Sequence, residues 1–181
     1  MTNVICNILQ MSLLTYFSFG YILYTTKQKR GNTMNTIYFD MDGTFYNLYG
    51  FDGWLDCILS EKTECYKNST MLVDYDSFVN VLSELKEKGY TIGIISWLSK
   101  NATKQYQNKV RMTKYHYVKK NFGNLFDEIH IIQYGKNKSI FCENGDILFD
   151  DEENNRKQWT EKNGIAYDVM NIIDILESMV K

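Results

Sequence analysis

Two carboxylates stand two positions apart in the run Asp40-Met41-Asp42-Gly43-Thr44, directly after the apolar stretch 36–39. A second apolar stretch, 146–149, ends in the adjacent acids Asp150 and Asp151. A third, Ile94-Ile95-Ser96, ends on a hydroxyl, and Lys138 lies upstream of the paired acids with Lys136 two positions before it. Clustered carboxylates raise one another's pKa and cost stability unless a cation joins them. An all-oxygen ligand set suits magnesium better than zinc or iron. A carboxylate beside magnesium can attack phosphorus, and a second carboxylate can give up a proton and recover it. Ser96 can donate to a phosphate oxygen, and a lysine at 138 can offset the charge of phosphate and acids. Each feature alone has a plainer reading: an Asx turn around Gly43, a helix cap at Ser96, a solvated loop for either lysine. Two acid-tipped stretches in one chain favour a metal site over these.

Such chemistry requires the side chains to converge on one edge. Residues 36–39, 91–95, 128–133 and 146–149 are short and apolar and predict strands. Residues 76–88 predict a helix with Phe78, Leu82 and Leu85 on one face and Gly89 as its stop. Further helices are predicted over 101–121, 153–162 and 171–180, the last two separated by 165–169, with a short one near 138–142. Alternation of this kind predicts an α/β fold: a doubly wound parallel sheet covered on both faces. Sites in such sheets form at the carboxyl ends of the strands, where the acids and Ser96 fall.

The 181-residue chain is 44% hydrophobic and 23% charged, with formal net charge −2, so the totals give no reason to expect a polyanionic partner. There is no proline. Cys6, Cys57, Cys65 and Cys142 lack paired spacing and read as reduced thiols; His116 and His130 are isolated and read as packed or solvated. Residues 1–26 carry no charge, 4–24 are mostly apolar, and Lys27, Lys29 and Arg30 follow. That segment reads either as a membrane anchor with the rest cytoplasmic, or as an extension upstream of a start at Met34. A membrane partner is expected only if residues 4–26 are a genuine anchor. Residues 34–181 form the expected domain, placed in the cytoplasm.

Taken in order, Asp40-Met41-Asp42-Gly43-Thr44, Ser96, Lys138 and Asp150-Asp151 resemble the haloacid dehalogenase superfamily of phosphohydrolases, over essentially all of 34–181. The resemblance implies the Rossmann-like fold of that superfamily with a short helical cap. It implies Asp40 as nucleophile through an aspartyl-phosphate and Asp42 as general acid and base. It implies magnesium held by Asp40, the Asp42 backbone carbonyl and Asp150, with Asp151 in support. The run 148–155, followed by Trp159 and Gly164, is similar to 5'(3')-deoxyribonucleotidase-like and phage-type members.

The implied cap spans about 46–73, with room only for a short insertion and hence a rather open site. Phe45, Tyr46, Tyr49, Phe51 and Trp54 crowd this region, and Trp97 follows Ser96. Aromatics there can stack a nucleobase, although most are expected to form the cap's own core. Thr44, Tyr46, Trp54 and Trp97 are the expected substrate contacts. Between Trp97 and Phe126 there is no acid, while Lys100, Lys104, Lys109, Arg111, Lys114, Lys119 and Lys120 occur. This run is expected to be a solvated helix face, with nucleic-acid binding the less favoured reading. The expected activity is hydrolysis of a phosphomonoester, with a nucleoside or deoxynucleoside monophosphate as substrate. The alternatives are a 3'/5'-end phosphatase for polynucleotides and a non-catalytic membrane-tethered or nucleic-acid-binding module.

Overall fold

The computed structural model describes residues 35–181; the choice between anchor and upstream extension for residues 1–33 lies outside them. Among the described residues, no helix is long and apolar enough to cross a membrane. Strands β1 (Thr36–Phe39), β2 (Thr91–Trp97), β3 (Glu128–Ile132), β4 (Ile147–Phe149) and β5 (Ile165–Tyr167) form one sheet. All pairings are parallel, in the order β3-β2-β1-β4-β5. Helices α1 (Trp54–Leu59), α2 (Glu64–Asn68), α3 (Tyr75–Glu87), α4 (Lys104–Phe122), α5 (Glu153–Thr160) and α6 (Ile172–Val180) connect and cover it, with a 3₁₀ turn at Lys138–Phe141. This is the doubly wound α/β class that the alternating pattern predicts.

A parallel strand buried on both faces must be apolar throughout, and every residue of β1 is buried. Ile37 and Phe39 join the core beneath α3, α4 and α6, where Phe39 stacks on Phe149 (5.1 Å) and meets Phe78 edge-on (5.3 Å). Tyr38 points to the other face, with Ile95, Leu148 and Trp159 of α5. Tyr38 pairs with Gly93, where a Cβ would stand 2.5 Å from the tyrosine ring. The missing side chain lets the phenol cross β2 and donate to Glu128 Oε2 at 2.7 Å.

Local chemistry sets the element ends. Asp74 caps α3 by accepting from Ser77 N at 2.9 Å, and Thr103 caps α4 by accepting from Tyr106 N at 3.2 Å. The α4 helix therefore starts at Lys104 rather than at Asn101, whose φ of 52° is left-handed. Strand β2 continues past residue 95 because its pairing with β3 runs on to Trp97 and Ile132. Ser96 thus lies inside a strand, not beyond one.

The insertion after β1 is pinched at its base by Asn47 N donating to Thr70 O and Leu72 N to Phe45 O, both at 2.9 Å. It carries α1 and α2 and is fastened to the sheet's carboxyl edge. Glu61 accepts from Thr103 N (3.0 Å) and Oγ1 (2.9 Å), and Tyr106 donates to Lys62 O (2.6 Å). Cys57 and Cys65 are buried free thiols within the cap, 2.7 Å apart at sulfur, a proximity their spacing does not announce. His130 stacks on Phe141 at 4.2 Å.

Candidate active site

In the strand order β3-β2-β1-β4-β5 the connections run one way from β1 to β3 and the other way from β4 to β5, so the switch point lies between β1 and β4. A crevice opens there at the carboxyl ends. Asp40 and Asp150 leave those two strands side by side, Asp40 N donating to Phe149 O at 2.8 Å. One carboxylate oxygen from each of Asp40, Asp150 and Asp151 lies within 4.8 Å of the others. Lys138, the first residue of the 3₁₀ turn, is buried with Nζ 2.8 Å from Asp40 Oδ1 and 2.7 Å from Asp150 Oδ2. Lys136 is exposed, and its carbonyl accepts from Trp97 Nε1 at 2.9 Å, so Lys138 is the lysine of the cluster.

Asp150 is held by more than its lysine. Asn155 Nδ2 donates to it at 3.0 and 3.2 Å, and the backbone N–H of Glu152 at 3.0 Å. Arg156 donates to the carbonyls of Asp150 (2.7 Å) and Asp151 (2.9 Å) and so fixes the turn that carries both acids. Neither residue stands out as a site residue in sequence. Their signal is position alone, in the helix that follows the paired acids.

Burial, then the Asp40 charge, raises Asp150 to about 6; burial, then Asp40 and Asp150, raises Asp151 to about 7. Burial also raises Asp42, against the pull of Lys114. An acid raised from 3.8 holds its proton more tightly folded than unfolded. Its stabilising contribution is complete below the unfolded value and is lost as pH rises through about 6 to 7. Metal-free protein is therefore expected to melt at a lower temperature at about pH 8 than at about pH 5. A melting temperature that climbs with pH in EDTA would contradict this.

Gly43 lets the first acidic loop turn back on itself. Its φ is 79°, and a Cβ there would stand 2.5 Å from Asp151 Oδ2 and 2.7 Å from Tyr49 Cε2. Gly43→Ala is expected to cost about 1–3 kcal/mol in a denaturant melt, through backbone strain and displacement of Asp151. An unchanged midpoint would contradict that packing.

A cavity of about 490 Å³ adjoins Asp40, Asp42 and Asp151, walled by Tyr49, Trp54 and Ile58 of the cap and by Trp97, Leu98 and Tyr134 of the core. Trp54 meets Tyr49 edge-on (5.1 Å), and the Trp97 ring lies 4.9 Å from Lys138 Nζ. The other two expected substrate contacts are placed differently. Tyr46 is fully buried, donates to Cys65 O at 3.1 Å and packs on Tyr117, because its backbone bridges to Met71 at the cap's base. Thr44 is also buried and does not line the cavity. Among the described residues, Asp42 Oδ1 and Thr44 Oγ1 are buried side-chain oxygens without a hydrogen-bond partner.

Ser96 is buried beside a residue absent from the expected site. Lys114 of α4 donates to Asp42 Oδ2, to Ser96 Oγ (2.9 Å) and to Trp97 O (2.8 Å). The basic run is thus not one solvated face, since Lys114 is fully buried and Arg111 Nε donates to Ile131 O at 3.3 Å. The legible signal is a buried stripe at four-residue spacing, Tyr106, Val110, Val118 and Phe122, with Lys114 at its centre.

No family model and no curated protein matches this sequence. Solved structures do share its fold. The D,D-heptose 1.7-bisphosphate phosphatase from B. bronchiseptica, complexed with magnesium and phosphate, is 11% identical with TM-score 0.50, over 81% of this chain and 98% of that one. A chain of the Pnkp1/Rnl/Hen1 RNA repair complex is 17% identical with TM-score 0.50, over 87% of this chain. The present chain spans about half of that longer one, 53%. An uncharacterized protein from Corynebacterium glutamicum is 13% identical with TM-score 0.43, over 81% of this chain and 93% of its own. At such identities the likeness to the first two establishes the fold alone, a Rossmann-like α/β sheet.

Proposed function

We propose that this protein is a magnesium-dependent phosphomonoester hydrolase that works through an aspartyl-phosphate on Asp40, with a nucleoside or deoxynucleoside monophosphate as substrate. The observation that carries the reading is the buried Lys138 ammonium, bonded to Asp40 (2.8 Å) and Asp150 (2.7 Å) beside the cavity. It joins a nucleophile candidate, a ligand candidate and a counter-charge in one cluster. Burial-raised acids with only oxygen donors are a set that magnesium suits. Asp40, Asp150 and Asp151 would hold the ion, with the Asp42 backbone carbonyl as the resemblance implies. Bound there, it supplies positive charge to the phosphoryl oxygens.

The chain's own groups do the rest. An Asp40 carboxylate oxygen attacks phosphorus as the bond to the leaving oxygen breaks, and the Asp42 carboxyl protonates that oxygen. Asp42 then takes a proton from a water that attacks the phosphorus of the aspartyl-phosphate, releasing phosphate and restoring Asp40. Lys138 offsets the negative charge throughout, and the Ser96 hydroxyl donates to a phosphoryl oxygen. The raised affinity of Asp42 for its proton suits a group that begins as an acid. Trp54 and Trp97, both lining the cavity, suit a planar base as the leaving group's body. Glu61, Asp151 and Glu152 at the same cavity disfavour a long polyanion.

The test is a panel of nucleoside 3'- and 5'-monophosphates, p-nitrophenyl phosphate and phosphorylated oligonucleotides, assayed with magnesium on the full chain. Mononucleotides are expected to turn over, with EDTA abolishing release of phosphate. Preference for oligonucleotide ends would move the reading to end repair, and inertness across the panel would overturn it.

A further inference from the structure

A lysine at the centre of a buried helix stripe is an expensive choice. Tyr106, Val110, Lys114, Val118 and Phe122 form that stripe on α4, and the Lys114 side chain is fully buried. A leucine or methionine would complete the stripe without desolvating a charge, and such replacements of buried ion pairs are often neutral or stabilising. Core packing alone therefore gives no reason for a charge here.

The partners supply one. An ammonium has three N–H donors, and each has a separate acceptor: Asp42 Oδ2, Ser96 Oγ at 2.9 Å and Trp97 O at 2.8 Å. The face of Tyr66 lies over the same ammonium at 5.1 Å. Two of the three acceptors are groups to which the proposed reaction gives a task. With Oδ2 held by Lys114, the carboxyl of Asp42 is fixed in one orientation at the cavity, and its Oδ1 is buried without a partner among the described residues. With its oxygen accepting from Lys114, the Ser96 hydroxyl keeps its single proton for another acceptor.

We propose that Lys114 is a positioning residue that sets both groups at once: it fixes the Asp42 carboxyl that protonates the leaving oxygen and leaves the Ser96 proton for the phosphoryl group. The inference rests on the phosphohydrolase reading above. It differs from the part given to Lys138, which holds the nucleophile and the Asp150 ligand. One lysine serves the attacking side and the other the departing side.

Proton donation matters for a poor leaving group and little for a good one, so the test compares two substrates. Lys114→Met in the full chain is assayed on a nucleoside monophosphate, whose alkoxide needs a proton, and on p-nitrophenyl phosphate, whose phenolate does not. General acid catalysis contributes about 10²–10⁴-fold. The variant is expected to lose at least about 10²-fold in kcat/KM, which reports only the steps up to departure of the leaving group, on the nucleotide and under about tenfold on the aryl ester. Asp42→Asn should show the same split, and adding Lys114→Met to it should cost under about fivefold more on the nucleotide. Equal losses on both substrates, or full additivity with Asp42→Asn, would overturn the inference while wild-type activity keeps the parent reading intact. Wild type inert on both would overturn both. If Lys114→Met does not fold by circular dichroism, Lys114→Arg keeps the charge and moves the donors. The same split is expected of it, and equal losses there would count against the proposal.

Discussion

Asp40→Asn is expected to lower kcat on every substrate by at least about 10³-fold, because an amide oxygen is a far weaker nucleophile toward phosphorus than a carboxylate. Geometry makes this position singular. Asp40 leaves β1 at the switch point, and its carboxylate faces both Lys138 and the other two acids of the cluster. Removing its charge also removes the second-largest cause that raises Asp150 and Asp151. The variant should therefore retain its fold while its remaining acids ionise at lower pH. Activity lost with structure kept, measured by steady-state kinetics beside a thermal melt, is the expected pair of results. A variant that keeps more than about a tenth of wild-type kcat would remove Asp40 from the chemistry.

Lys138→Met should be the most damaging single change to the metal-free fold. The ammonium is 1% exposed and lies between two carboxylates that are themselves nearly inaccessible. Breaking a buried pair from one side leaves an uncompensated charge and costs about 3–5 kcal/mol. The cost should be largest near neutral pH, where Asp150 is ionised, and smaller below its raised value of about 6, where it can take up a proton instead. On the proposed reading, magnesium bound there should recover part of the loss by supplying charge to the same oxygens. Denaturant melts at two pH values, with and without magnesium, measure all of this. A variant as stable as wild type in EDTA at neutral pH would contradict the bridging role.

The strands were legible because each is a short apolar run that ends on a polar residue, and a parallel sheet sends all those ends to one edge. Asp40, Lys138 and Asp150 meet there, while Ser96 lies against Lys114, which also holds Asp42. Side-chain direction was less legible. Tyr46 and Trp54 are both aromatics of the cap, yet the backbone bridge to Met71 draws Tyr46 inward while Trp54 faces the cavity. Lys114 was hidden by its neighbours. Counted with six other basic residues it belongs to a charge run; counted with Val110 and Val118 it belongs to the core. Its partner Asp42 is 72 positions away, and only the tertiary fold brings the two together. Asn155 and Arg156 carry no mark in the sequence, because their partners are reached by the turn before α5, not by any periodicity.

The central claim is that phosphorus passes through a covalent bond to Asp40, and the direct measurement is chemical trapping of that bond. Wild-type protein turning over a nucleotide with magnesium is quenched in acid and reduced with borohydride, which converts an aspartyl-phosphate to homoserine. Peptide mass spectrometry then locates the change. The account predicts homoserine at position 40, dependent on magnesium and substrate. Steady release of phosphate with position 40 still aspartate, or with the reduced residue at Asp150 or Asp151, would contradict it.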